Sequence, residues 1–433
     1  MTGTVYHAGH AWVGDRVAHD VLIEVAEGRI TAVTPGAPPA GERLAGLVLP
    51  GFANVHSHAF HRALRGRTHG ESGSFWTWRE LMYAVAGRLD PDTYFALARA
   101  VYAEMAMAGI TAVGEFHYLH HGPGGTPYAD PNAMGHALLA AAAEAGIRIT
   151  LLDTLYLTSG VDGKPLEGTQ RRFGDGDLDG WASRVAGLAA APHARIGAAI
   201  HSVRAVPARY LGGLTGHGPL HVHLSEQRAE NEQCRAVHGC SPTELLDRHG
   251  VLGPDTTAVH ATHLGDGDVK LLGGTGTGAC FCPTTERDLA DGIGRARDLV
   301  DAGAPLSLGS DSHAVIDMFE EARGVEMDER LATRLRGRFT PAELVAAATR
   351  HASLGWDDAG AIAVGRRADL VCVRLDGVRT AGVDPRGAIY AATAADVTHV
   401  IAGGRTVVAG GRHVTIDVPR ELDRTIGALV GNP

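Results

Sequence analysis

Cysteine is scarce in this chain: Cys234, Cys240, Cys280, Cys282 and Cys372 are the whole supply in 433 residues. A sparse, odd-numbered set argues against a disulfide framework and fits a reducing cytoplasm. A basic surplus is missing too. Lys and Arg number 39 against 49 Asp and Glu, and the net charge of −10 is spread without long runs of one sign. Nothing in that balance invites nucleic acid. The N-terminus lacks the basic segment, continuous apolar stretch and small-residue cleavage site of a secretory leader. The most apolar long stretch, Tyr94–Val113, is interrupted by Arg99 and Glu104. It reads as an amphipathic helix running into a strand, so no membrane span is expected.

What the chain does have is apolar residues, 45% of a length that can bury a large core. Residues 1–47 carry short β-type runs at Val21–Val25 and Ile30–Val33. Within the C-terminal end, 365–433, residues 365–415 match them with Leu370–Leu375, Thr398–Ile401 and Thr406–Val408. Neither end can bury its own core, so the two are expected to pair into one small β-sandwich. Between them, over 48–364, apolar β-type runs alternate with helical patterns such as His136–Ala145 and Ala296–Ala302. That alternation predicts an α/β fold with a (β/α)8 TIM-like barrel. The eight runs end near His58, His117, Tyr156, His201, Glu226, His263, Pro283 and Asp311. In such a barrel the C-terminal strand ends converge on one mouth. Most of these residues are ionisable, and burying them unpaired costs on the order of several kcal/mol. A shared metal ion removes that difficulty.

The residues supply a site for one. The run Leu-Pro-Gly-Phe-Ala-Asn-Val-His-Ser-His ends at His56 and His58, which share a strand face because side chains alternate. In Leu220–Glu226 the same alternation pairs His221 with His223, and Glu226 lies just beyond. His223, nearer the mouth, is the better ligand, and His221 is assigned to packing or to support of the ligands. His260 and His263 fall on opposite faces, so only one can face the site. The run Leu306–His313 ends its strand at Asp311, which could instead cap the next helix. With three histidines converging, ligation is the stronger reading. His56, His58, His223 and Asp311, with a position left open, make a catalytic site for zinc, iron or another divalent ion. Three other features are read as bland: Gly273–Gly278 as a turn without the lysine of a phosphate loop, Cys280 and Cys282 as buried thiols, and Phe173–Gly180 as a mobile loop at the barrel rim.

With these residues assigned, the chain resembles the amidohydrolase superfamily, and within it the formimidoylglutamate deiminases of histidine degradation. The broader likeness rests on His56-Ser57-His58, His223 with Glu226, His260 and Asp311. The narrower one rests on Ser74–Tyr83, Glu115–His121, His201–Arg204 and Thr284–Gly292. One departure is His61, where relatives carry glutamine.

The resemblance implies hydrolysis of N-formimidoyl-L-glutamate to N-formyl-L-glutamate and ammonia on a single zinc. It assigns Asp311 and His260 to accepting a proton from water and Glu226 to delivering one to the departing nitrogen. It also makes Arg79 and Arg204 the partners of two substrate carboxylates, which suits the planar guanidinium fork. Arg79 is expected to be ordered by the rings of Phe75, Trp76 and Trp78. Tyr118, His201 and His61 are further contacts, with His61 a candidate imidazolium for holding carboxylate. The expected partners are a small dicarboxylate substrate and a second copy of the chain. A nucleobase deaminase is disfavoured by the two arginines; a guanidino acid would keep both carboxylates and remains a rival. A non-catalytic metal-binding barrel would need neither Glu226 nor His260.

Overall fold

The computed structural model of the chain describes residues 3–68 and 75–431. Its first four strands are β1 (Thr4–Val13), β2 (Arg16–Ala26), β3 (Arg29–Thr34) and β4 (Glu42–Pro50). Eight central strands follow: β5 (Phe52–Ser57), β6 (Ile110–His117), β7 (Arg148–Leu155), β8 (Ala194–Ile200), β9 (Leu220–Leu224), β10 (Thr256–His260), β11 (Gly278–Phe281) and β12 (Leu306–Leu308). The last four are β13 (Leu370–Val373), β14 (Val397–Ala402), β15 (Arg405–Ala409) and β16 (Arg412–His413).

Strands β5 to β12 lie in chain order, each parallel to the next. Helices fill the connections, as a parallel sheet requires. The sheet closes into a barrel through the site itself. Ser57 bridges Asp311, the Asp311 amide donates to the His56 carbonyl at 3.0 Å, and the His58 amide donates to the Asp311 carbonyl at 3.3 Å. Gly309 makes this closure possible, since a Cβ there would lie 2.8 Å from the His56 Cβ. Strands β5, β6 and β7 are buried along their whole length, which is why they read as near-continuous apolar runs.

The two chain ends form one mixed eight-stranded sheet in the order β16-β15-β14-β13-β4-β1-β2-β3. It encloses its own apolar cluster, with Tyr6, Ile23, Leu44, Val48, Leu370 and Ile401 among its members. Strand β4 passes straight into β5, and a buried ion pair, Arg148 to Asp369 at 2.5 Å, fastens the sheet to the barrel floor.

Two stretches differ from expectation. Residues 418–430, included in the terminal β domain, form the helix Val418–Val430, with Val418, Leu422, Thr425 and Leu429 buried at helical spacing. Arg88 donates to its Leu429 carbonyl at 2.7 Å. Phe173–Gly180 is not loosely held at the rim. Phe173 is fully buried, Asp175 pairs with both His121 and Arg184 at 2.8 Å, and Asp177 caps the helix Leu178–Val185. The carboxylates that looked like solvated loop residues are the partners of buried cations.

Candidate metal centre and active site

The mouth of the barrel collects imidazoles from three strands. His56 Nε2 lies 3.1 Å from His223 Nε2 and 3.2 Å from an Asp311 oxygen, and His58 Nε2 lies 3.4 Å from that same oxygen. Their rings sit edge to face or tilted, with the His56 and His58 centroids 4.8 Å apart. A carbonyl oxygen can only accept, so His58 Nδ1 donates to the Phe116 carbonyl and His223 Nδ1 to that of His201, both at 2.9 Å. Each ring therefore turns an Nε2 lone pair inward, the tautomer a metal needs. Burial, followed by the charge of His56, lowers the His58 pKa to about 3 and holds that of His223 well below the normal histidine value. Burial would raise the Asp311 pKa, but hydrogen bonding and charge from His56, with His260 and His58, outweigh it and keep the group ionised. His56, His58 and His223 form one group whose donor atoms lie close enough to share a metal ion, and Asp311 joins His56 or His58 in two others, so the residue types and spacing fit a divalent ion.

His260 ends β10 with φ +68°, and Asp311 follows β12 with φ +38°. Such backbone is held only where the surroundings impose it, and it clusters at functional sites. The turn settles which histidine faces inward. His260 Nε2 lies 3.7 Å from Asp311 and 3.9 Å from Glu226, while His263 sits past the strand beside Gly292. His260 Nδ1 meets Glu286 at 3.4 Å. Burial would depress His260, but Glu226, Glu286 and Asp311 together push its pKa well above the ordinary value. Burial raises Glu226, with His260 and Arg204 opposing. His221 Nε2 donates to the Ser353 carbonyl at 2.9 Å, a packing role.

Every catalytic, metal-ligating or substrate-binding candidate from the sequence except His56, which is fully buried, lines one pocket of about 560 Å³, part of it open to solvent. Arg79 enters from the helix Phe75–Ala86, its Nε donating to the Tyr83 hydroxyl at 2.6 Å. The side chains of Phe75 and Trp76 lie outside the described residues; Trp78 meets the His61 ring at 5.0 Å. Arg204 approaches Glu226 at 3.8 Å and Glu230 at 3.3 Å. His61 is buried with Nε2 3.0 Å from the Tyr118 hydroxyl. Burial and then His58 push its pKa well below the usual value, which runs against the imidazolium expected of it.

Several residues at the site are assigned no individual role by sequence patterns. Tyr83, Tyr156 and Phe173 line the pocket. Glu286 orients His260 from within the Thr284–Gly292 motif, whose residues have no individual role that spacing reveals. Glu230 holds Arg204 from one turn into the helix Arg228–His238; burial pushes its pKa up to about 7. Among the described residues, no helix is long and apolar enough to cross a membrane.

Comparison with known proteins places this geometry. Residues 47–407 match the amidohydrolase family. Formimidoylglutamate deiminase of Pseudomonas aeruginosa is 38% identical, with 92% of each chain covered. The 8-oxoguanine deaminase of the same organism is 30% identical, covering 87% of this chain and 86% of that one. Among solved structures, an amidohydrolase from Brucella melitensis superposes with a TM-score of 0.89 at 34% identity, covering 99% of this chain and all of its own.

Proposed function

The chain belongs to the amidohydrolase family, and on that footing we propose that this C–N hydrolase converts N-formimidoyl-L-glutamate to N-formyl-L-glutamate and ammonia, using one zinc ion. The observation that carries the reading is a single pocket in which Arg79 and Arg204 face the donor set of His58, His223 and Asp311. A substrate with two carboxylates matches two guanidinium groups, and a nucleobase does not. The higher identity to the formimidoylglutamate enzyme than to the 8-oxoguanine enzyme points the same way.

His56, His58, His223 and Asp311 would hold the ion. Zinc there would supply Lewis acidity and lower the pKa of water in the site. The chain's own residues do the rest. Asp311, fixed by its backbone bridge to β5, accepts a proton from water. His260, held between Glu286 and Asp311 with its pKa raised by them, stands beside Asp311 as a hydrogen-bond donor to the water and its oxygen. Glu226 delivers a proton to the nitrogen that leaves, and its raised pKa keeps it protonated closer to neutrality. Tyr118, His201 and His61 complete the wall that orients the amidine. A cytoplasmic setting is supported by five buried cysteines, all free.

Ammonia release from zinc-loaded protein tests the proposal, with formimidoylglutamate, the guanidino analogue of glutamate and nucleobases offered in parallel. Formimidoylglutamate should be turned over fastest, leaving N-formylglutamate. Preference for the guanidino acid or a nucleobase would overturn it.

A further inference from the structure

We propose that Gln170 is a positioning residue that aims Arg79 at a substrate carboxylate through the Tyr83 hydroxyl. This rests on the reading above that Arg79 holds a carboxylate. Gln170 lies in the 3-10 turn Gly168–Arg172, beyond β7 and far from Arg79 in the chain. Its Nε2 donates to the Tyr83 hydroxyl oxygen at 3.0 Å and to that of Tyr156 at 3.3 Å. The Tyr83 oxygen also accepts from Arg79 Nε at 2.6 Å. A phenol oxygen has two lone pairs, so the two N–H donors fill it and fix its place. The Arg79 guanidinium is thereby tied at Nε, with its Cζ 5.1 Å from the centre of the Tyr83 ring.

The same turn fastens the helix that carries Arg79. Arg172 is buried and donates to the Ala86 carbonyl, to the Leu89 carbonyl at 2.6 Å and to the His121 carbonyl at 2.8 Å. A cation on the last carbonyls of a helix opposes its negative end and satisfies groups that lack partners within the helix. Phe173, next in sequence, packs on Tyr83 and Tyr118 with centroids 5.9 and 5.0 Å away. Gln170, Arg172 and Phe173 thus brace turn against helix. Gln170 is 5% exposed and does not line the pocket, so it acts through Tyr83 and not on the substrate.

Steady-state ammonia release from the zinc-loaded protein, with metal content measured alongside, tests this in a cycle of Gln170→Met, Arg79→Met and the double variant. Gln170→Met should raise KM for formimidoylglutamate about tenfold, as for one lost hydrogen bond in a network holding a charged group, with kcat changed less than about twofold. In the Arg79→Met background the same change should add nothing, because the group it aims is gone. Should Gln170→Met fail to fold, Tyr83→Phe keeps the ring, removes the shared hydroxyl and takes its place in the cycle. A large Arg79→Met effect with a silent or additive Gln170→Met effect overturns the brace and leaves the dicarboxylate reading standing. A silent Arg79→Met variant overturns that reading first.

Discussion

His56, His58 and His223 face one another at the barrel mouth, and at the ends of β6 and β7 His117, His120 and Asp153 do the same; in both groups the candidate donor atoms lie within 4.8 Å of one another, and all six residues are buried. Residue type and burial do not separate them. Their outward hydrogen bonds do. At the mouth, the Nδ1 atoms of His58 and His223 donate to carbonyls and leave Nε2 pointing inward. In the second group His120 Nε2 is itself committed to the Thr154 carbonyl at 3.0 Å. Arg184 donates to both Asp153 oxygens at 2.8 Å, and Trp181 donates to one of them at 2.9 Å. That carboxylate already has its cation. Burial would raise the Asp153 pKa, and the Arg184 charge outweighs burial and lowers it. A cluster becomes a metal site when its lone pairs are turned inward and its carboxylate oxygens are not both taken by a guanidinium.

The sharpest way to break this contrast is at the carboxylates. Asp311→Asn should nearly abolish ammonia release even in protein that still contains zinc, because an amide cannot accept the proton and binds metal weakly. Near-normal turnover of a zinc-replete variant would remove Asp311 from the chemistry. Glu226→Gln should cost about 10²–10⁴-fold in kcat, the range for a general acid–base group, with metal content unchanged. Lost zinc would make Glu226 a ligand and redraw the cluster.

At the second cluster the expected damage is to stability. Arg184→Met strands Asp153 and Asp175 in the interior, and breaking a buried ion pair from one side costs about 3–5 kcal/mol. Chemical denaturation at neutral pH should show that loss, with one zinc still bound per chain. The sign with pH follows from the lowered Asp153 pKa. The pair stabilises above the ordinary carboxylate value, about pH 4, and its contribution falls away as pH drops through the folded-state value. Wild type and variant should therefore converge in acid; a gap that widens there would contradict the pairing. Smallest of all, His120→Gln should leave zinc content and kcat within about twofold of wild type, measured by metal analysis and ammonia release. A loss of zinc would mean that the second cluster holds metal after all.

The two clusters are unequally legible in the sequence. Candidate ligands at the mouth stand at the ends of apolar runs, and alternation along a strand assigns each side chain a face from its position in the run alone. The barrel is legible for the same reason, since parallel strands buried on both faces read as apolar blocks. The choice of His260 over His263 depends on a left-handed residue at the strand end, which spacing does not reveal. Arg184, Asp153, Asp175 and His121 find one another across separate segments, so the loop that holds them looks merely acidic and glycine-rich. Gln170 and Glu286 are hidden because they work on another side chain and carry no pattern of their own. The lowered pKa of His61 depends on burial and on the nearness of His58, which close spacing in the chain does not disclose.

Anomalous diffraction at the zinc edge from crystals of zinc-reconstituted protein tests the distinction between the clusters most directly. One peak is predicted, bounded by His56, His58, His223 and Asp311, with none beside His117, His120 and Asp153. A peak at the second cluster, or an empty first cluster in zinc-containing protein, would contradict it.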